Sequence, residues 1–137
     1  NEAVWHRDEI LQFNPEGADA GRISDDQGTG KSVSVQAKDI RKILDEKGPF
    51  DYIKMDIEGA ETDVLVTSKK LDQVKQMFIE YHSFVDETQK LSELLSCLTR
   101  NKFRYYIHTQ FCANQPLIND EIQLGMDLQL NIFAKRN

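Results

Sequence analysis

An apolar run that ends in a cluster of carboxylates places the strongest constraint on how this chain folds. Residues 50–57 are mainly apolar, with Asp51 and Lys54 as interruptions before Asp56, and are interpreted as a strand that is buried on both faces. Asp56, Glu58 and Glu61 then surround a single glycine, and a helix-like stretch follows over residues 60–66. In open α/β sheets, ligands bind beyond the carboxyl ends of the strands. The run therefore predicts a central strand with a functional site at its end.

Strand-like and helix-like patterns alternate from Val33 onward. Helices are predicted over residues 39–46, 60–66 and 87–99, and strands over residues 32–36, 50–57, 76–81, 103–107 and 128–133. Such alternation favours an α/β fold with a mostly parallel sheet that is covered by helices. The last two strand patterns have no helical pattern between them, which predicts an antiparallel pair at one edge of the sheet.

The first 36 residues carry short strand and turn patterns. Residues 3–5 and 10–13 flank a polar stretch and predict a β-hairpin, and residues 22–24 predict another short strand. Residues 25–32 resemble a phosphate-binding loop, but Asp25 replaces the required first glycine, and a strand pattern follows where a helix must begin. A hairpin turn is therefore the better interpretation of this segment.

The composition is that of an ordinary globular domain and argues against several function classes. Of the 137 residues, 39% are hydrophobic and 29% are charged, and the net charge is −6. This acidic balance argues against a nucleic-acid partner, which requires a basic face. No apolar run reaches the ~20 residues of a membrane-spanning helix. Neither Cys97 and Cys112 nor the histidines show the spacing of a zinc site, so no metal ligand is assigned from spacing.

The carboxylates that follow the apolar run allow more than one interpretation. An unpartnered carboxylate beside a buried strand is costly, so we predict that Asp56 has a functional partner. It could accept a hydrogen bond from a ligand, act as a general base or, with Glu58, hold a hard cation. Glu61 is interpreted first as a residue that stabilises the start of the following helix.

Glu80 and His82 close the next predicted strand. If the two strands are adjacent and parallel, this end lies roughly 5–10 Å from Asp56, which is one or two strand spacings. His82 could serve as a proton shuttle, because histidine titrates near neutrality. It could equally be a strand-end histidine that is bonded to the backbone, and the sequence leaves both interpretations open.

Several of these segments together resemble FkbM-type methyltransferases. The resemblance rests on the Lys-x-Asp-x-Glu-Gly-x-Glu pattern at residues 54–61, with support from residues 1–4, 35–44, 79–82 and 130–136. It implies a partial Rossmann-like class I sheet in which the family's fourth, fifth, seventh and sixth strands follow one another. It also implies O-methylation that depends on S-adenosyl-L-methionine, with a hydroxyl of a sugar, glycan or other small molecule as acceptor.

The resemblance further implies roles for individual residues. The catalytic residues that it implies are Asp56, Glu58 and His82. Those implied to bind the cofactor are Glu2, Ala3 and Asp56, and those implied to bind the substrate are Glu61, Glu80 and His82. In this arrangement Asp56 orients the acceptor hydroxyl or the sulfonium, and proximity supplies much of the rate.

The family's glycine-rich cofactor loop has no counterpart in this sequence. Residues 1–137 are therefore interpreted as the carboxyl-terminal portion of a methyltransferase domain, with a hairpin and loop region over residues 1–36 and an α/β half-sheet over residues 37–137. We expect this portion to be inactive by itself and to belong to a longer protein. Its signature strand would form an exposed apolar edge, which predicts pairing with a second copy. The alternative is a non-enzymatic, methyltransferase-like module that binds a glycan or a protein partner.

Overall fold

The structure, a computed structural model, describes residues 2–13, 33–68 and 70–136. Within these ranges the strands are β1 (Glu2–Trp5), β2 (Glu9–Phe13), β3 (Val33–Asp39), β4 (Phe50–Met55), β5 (Val74–Phe84), β6 (Arg104–Cys112) and β7 (Met126–Lys135). The helices are α1 (Ile40–Lys47), α2 (Glu61–Thr67) and α3 (Leu91–Arg100), and a 3₁₀ turn at Leu71–Gln73 precedes β5. The strand expected at residues 22–24 and the turn expected at residues 25–32 lie outside the described residues.

The first sheet contains three strands in the order β1-β3-β2. β3 runs parallel to β1 and antiparallel to β2, so that Ala37 lies opposite both Ala3 and Glu9. The predicted hairpin of β1 and β2 is therefore wrong, because β3 lies between these two strands and pairs with both.

The short segment between β1 and β2 explains why they do not pair. Residues 6–8 cross the end of β3, where the Asp39 backbone N–H donates a hydrogen bond of 2.7 Å to the Asp8 carboxylate. Trp5 Nε1 donates to Glu9 Oε1 at 2.7 Å and ties the two sides of the crossing together. Three extended residues span roughly 10 Å, which is two strand spacings. The segment therefore has the length that is needed to pass over one strand.

Asp39 ends β3 and caps α1. Its carboxylate accepts a hydrogen bond of 2.8 Å from the Arg41 backbone N–H, which satisfies one of the free donors in the first helical turn. At the other end, the Gly48 N–H donates to the Leu44 carbonyl at 3.0 Å. The helix predicted over residues 39–46 is confirmed to within one residue.

The second sheet contains four strands in the order β4-β5-β7-β6. β4 and β5 are parallel, with Met55 opposite Ile79, whereas β7 is antiparallel to both of its neighbours. The antiparallel pair at the edge, β6 and β7, is confirmed. The expectation of a mostly parallel sheet is wrong, because only the β4–β5 pair of this four-stranded sheet is parallel.

β7 makes the sheet mixed because the chain turns back after β6. Residues 113–125 join β6 to β7 without a helix, and a parallel connection requires a long crossover that is usually helical. β7 therefore returns in the opposite direction and inserts between β5 and β6. It pairs with β5 over a long stretch, from Gln76 opposite Lys135 to Phe84 opposite Met126.

The core lies between the second sheet and the helices that cover one of its faces. Fully buried side chains from α2, α3, β5 and β7 form its centre: Val64, Leu65, Leu94, Leu98, Ile79 and Ile132. Cys97 of α3 is a buried free thiol. Leu44 of α1 joins the same cluster, so the first sheet's helix also contributes to this core.

β4 lies at the edge of the second sheet, as expected from the resemblance. The prediction that it is buried on both faces is wrong, since Tyr52 is 56% exposed and the side chains of Asp51 and Lys54 are also exposed. An edge strand has a neighbour on one side only and is less completely covered. The charged residues on this edge disfavour pairing with another strand.

We expect Leu98→Ala to lower the free energy of unfolding by about 2–5 kcal/mol, because it leaves a cavity among fully buried side chains. Chemical denaturation followed by circular dichroism measures the change. Leu117→Ala is the matched control, since Leu117 is 99% exposed and its truncation should change stability by less than about 0.5 kcal/mol. An equally small effect at both positions would contradict the core assignment.

Candidate functional site

The site begins at residues 56–60, where β4 ends. Glu58 and Gly59 have positive φ angles of 55° and 100°, which turn the chain sharply between β4 and α2. A Cβ atom built at position 59 would lie 2.9 Å from Cε2 of the Phe84 ring. Glycine is therefore favoured here both by the backbone conformation and by the close approach of Phe84.

The carboxylate of Glu61 holds this turn in place. Glu61 is the first residue of α2 and its side chain is completely buried. Its Oε1 atom accepts hydrogen bonds from the backbone N–H groups of Ile57 and Gly59, both at 3.1 Å. The interpretation of Glu61 as a residue that stabilises only the helix start is thus incomplete, because it organises the turn that follows Asp56.

The same carboxylate oxygen orients His82 of β5. His82 Nδ1 lies 3.0 Å from Glu61 Oε1, and the imidazole is buried next to Phe84 with the ring centroids 6.3 Å apart. An ionised carboxylate only accepts hydrogen bonds, so we assign the proton to Nδ1. The second nitrogen, Nε2, lies 3.9 Å from Glu58 Oε2. Of the two interpretations that the sequence left open, the backbone-bonded histidine is thus not the one found, because the bond is to a carboxylate.

Asp56, Glu58 and His82 converge at the carboxyl ends of β4 and β5, and we call them the acid–histidine cluster. One oxygen or nitrogen atom from each side chain lies within 4.8 Å of those of the other two. Asp56 also forms an ion pair of 2.8 Å with Lys54. The parallel pairing of β4 with β5 brings these residues together, as the sequence predicted. Their catalytic roles stay predictions.

Gln129 joins the site from β7 and was missed by the sequence analysis. It lies directly opposite His82 in the β5–β7 register. Its Nε2 atom donates to Glu80 Oε1 at 2.6 Å and lies 3.4 Å from His82 Nε2. The family's strand order, which places β7 beside β5, could have indicated that a β7 side chain reaches the site. The strand order does not give the register, so it could not show that this side chain is Gln129.

The predicted cofactor residues Glu2 and Ala3 lie in the other sheet. They form the beginning of β1, where Glu2 is exposed and forms an ion pair of 3.9 Å with Lys38. Ala3 lies opposite Ala37 of β3. They thus belong to a different sheet from the acid–histidine cluster, and their role toward a cofactor stays a prediction.

The electrostatics of the site reflect its excess of carboxylates. Burial raises the pKa of Glu58, and the charges of Asp56, Glu61 and Glu80 raise it further against the opposing effect of His82. Burial lowers the pKa of His82, but the hydrogen bond that His82 donates to Glu61 and the surrounding carboxylate charges outweigh this effect and raise the pKa overall. The site therefore favours cations and hydrogen-bond donors.

Comparison with known protein families identifies the family of this chain. Residues 3–105 match the family model of the methyltransferase FkbM domain. The chain belongs to this family. No curated protein and no solved structure matches the chain. The resemblance inferred from the sequence is thus confirmed, and the matched range includes the acid–histidine cluster and Glu61 but ends before β7.

Membership of this family supports a methyltransferase function. The two mixed sheets and three helices in the described part of the chain are consistent with a methyltransferase-like fold. No described helix is both long and apolar enough to cross a membrane.

We expect Glu61→Gln to lower the pKa of His82, because the substitution removes both the charged hydrogen-bond acceptor at Nδ1 and its negative charge. Nuclear magnetic resonance titration of the His82 ring signals, with a chelator in the buffer, measures the change. Glu58→Gln is the comparison: it removes a charge that lies 3.9 Å from Nε2 and should lower the pKa less. A His82 pKa that is unchanged in Glu61→Gln would contradict the assigned contact.

Proposed function

We propose that the protein is an S-adenosyl-L-methionine-dependent O-methyltransferase and that the acid–histidine cluster binds the acceptor hydroxyl. The observation that carries this proposal is the convergence of Asp56, Glu58 and His82 within 4.8 Å at the carboxyl ends of two parallel strands. This end of an open α/β sheet is where ligands bind. Family membership favours this enzyme over a non-enzymatic binding module.

The chemistry of the cluster suits a hydroxyl acceptor. Carboxylates accept hydrogen bonds, so Asp56 and Glu58 can each bind an O–H group and hold its oxygen in one orientation. S-adenosyl-L-methionine would supply the methyl group, and Asp56 or Glu58 would take up the proton that the acceptor hydroxyl loses on transfer. Fixing the oxygen in line with the methyl group supplies a large part of the rate, because the reacting atoms need not find one another by diffusion.

The acidic site also suits the implied cofactor. S-adenosyl-L-methionine supplies a methyl group activated by a positively charged sulfur. The Asp56 side chain is 30% exposed, so its carboxylate can face the positively charged sulfur of the cofactor. By family resemblance, we assign Glu2 and Ala3 to the binding of the cofactor. Glu61 is buried, and we propose that it acts on the site indirectly, by holding the turn after β4 and by orienting His82.

The charges of the site also restrict the acceptor. Asp56, Glu58, Glu61 and Glu80 would repel a phosphate or carboxylate group on the substrate. We therefore propose a neutral or cationic acceptor, such as a hydroxyl of a neutral sugar, with Glu80 and His82 on the acceptor side.

We expect Asp56→Asn to reduce kcat by roughly 10²–10⁴-fold, the range for loss of a general base or hydroxyl-orienting carboxylate. The assay is transfer of a tritiated methyl group to a panel of neutral and amino sugars, with the protein in its native full length. Asp51→Asn is the matched control. Asp51 lies on the same strand near its other end and also pairs with a lysine, Lys75, at 2.6 Å. Equal rates for both variants would exclude Asp56 from the reaction.

Binding of the cofactor product is measured separately by calorimetry with S-adenosyl-L-homocysteine. Binding that persists in Asp56→Asn, together with lost transfer, supports a role of Asp56 toward the acceptor. Absence of both binding and methyl transfer in the unmodified protein would contradict the proposed function.

A further inference from the structure

We propose that the acid–histidine cluster is a binding site for a divalent transition-metal ion, with Asp56, Glu58 and His82 Nε2 as ligands. Binding of the ion does not depend on methyl transfer, whereas the role that we give it below rests on the proposed O-methylation.

The ligand atoms already lie close to the spacing that one ion requires. Atoms bound at about 2.0–2.2 Å to the same ion lie up to roughly 4 Å apart. His82 Nε2 and Glu58 Oε2 are 3.9 Å apart, and the Asp56 oxygen lies within 4.8 Å of both ligand atoms. The Asp56 and Glu58 side chains are 30% and 29% exposed, so small rotations of their carboxylates can complete the site.

His82 is oriented as a metal ligand independently of the two acids. Its side chain is only 3% exposed, and Glu61 accepts the Nδ1–H hydrogen bond at 3.0 Å. Histidines that ligate metals characteristically donate their other ring N–H to a carboxylate, which fixes the tautomer and the ring orientation. Gln129 Nε2 donates one hydrogen to Glu80 at 2.6 Å and can donate its second to His82 Nε2 at 3.4 Å, a long bond that a metal ion would replace. On the other side, Nε2 lies 3.9 Å from Glu58 Oε2, so this nitrogen is within reach of an ion that is held by the carboxylates.

The buried carboxylate of Glu61, which lies next to the cluster and bonds His82, also supports a metal site. Glu61 is completely buried, and its second oxygen, Oε2, has no hydrogen-bond partner within the described part of the chain. Buried carboxylates are normally paired with a cation or coordinated to a metal. Lys54 pairs with Asp56 at 2.8 Å, but its side chain is 58% exposed, so solvent screens this charge. A divalent ion at the cluster would compensate several of these charges at once.

The mixture of ligands indicates the class of ion. Carboxylate oxygens suit Mg²⁺, Ca²⁺ and Mn²⁺, whereas imidazole suits later transition metals. Mn²⁺ accepts both kinds of ligand and is the probe that we choose. Three protein ligands leave positions open for water and substrate, as in catalytic metal sites. An acceptor hydroxyl bound there would lose its proton more easily, and the unbound oxygen of a carboxylate ligand could receive that proton.

The test is titration of the metal-free, full-length protein with Mn²⁺, followed by electron paramagnetic resonance over a series of alkaline pH values, because only neutral imidazole can ligate the ion. We expect one site per chain. Glu61→Gln should weaken binding by ~10–100-fold, as loss of a carboxylate behind a ligating histidine does. Asp56→Asn and Glu58→Gln should weaken it more. Lys54→Gln should strengthen binding by a few-fold, because it removes a competing cation from Asp56. Asp51→Asn is the control and should leave the affinity unchanged.

Pulsed electron paramagnetic resonance detects direct ligation of Mn²⁺ by a nitrogen atom, which a variant that merely loses a charge would not abolish. Protein labelled with ¹⁵N should show nitrogen coupling to bound Mn²⁺, and His82→Gln should abolish that coupling. Absence of binding, binding that is unaffected by Asp56→Asn, or bound Mn²⁺ without nitrogen coupling would each overturn the proposal.

These measurements separate the ion from the proposed reaction. Binding of Mn²⁺ with nitrogen coupling supports the metal site even if no sugar is methylated. Methyl transfer that persists unchanged in the presence of a chelator, with the bound Mn²⁺ shown to be removed, would overturn the role of the ion in the reaction and leave the O-methyltransferase proposal intact.

Discussion

The site depends on one buried carboxylate. Glu61 Oε1 receives the backbone N–H groups of Ile57 and Gly59 and the Nδ1–H of His82, all at 3.0–3.1 Å. These three donors come from two elements, the turn after β4 and the end of β5. One charge-assisted group therefore fixes the turn that carries Asp56 and Glu58 in a set position relative to the histidine. Without it, the positive φ angles of Glu58 and Gly59 would lack their main local constraint.

The strand order determines which other side chains lie near Glu61 and His82. The parallel pairing of β4 with β5 places their carboxyl ends side by side, and the antiparallel insertion of β7 brings Gln129 opposite His82. Gln129 then holds Glu80 at 2.6 Å. Because β7 is antiparallel to β5, the start of β7 lies beside the end of β5. In a wholly parallel sheet the start of β7 would lie at the opposite edge, far from His82. The mixed topology, which the sequence analysis did not predict, thus completes the polar network around His82.

Local patterns predicted the elements better than their pairing. The helical spacing of Ile40, Ile43 and Leu44 predicted α1, and the carboxylates at the end of the run over residues 50–57 predicted the position of the candidate site. The hairpin of β1 and β2 was wrong because pairing depends on β3, which lies outside the local window. The burial of β4 was overestimated for a similar reason, since an apolar run does not tell an edge strand from a central one.

The role of Glu61 was beyond sequence reasoning because an acid at a helix start has an ordinary explanation there. Its two backbone contacts depend on the positive φ angles at positions 58 and 59, and its contact with His82 depends on the register of β4 with β5. The stability of this arrangement and its chemistry have the same origin. A carboxylate that is buried with one oxygen unpartnered is costly, and the fold retains it by giving its other oxygen three donors. The remaining negative charge is what makes this end of the sheet favourable for a positively charged ligand.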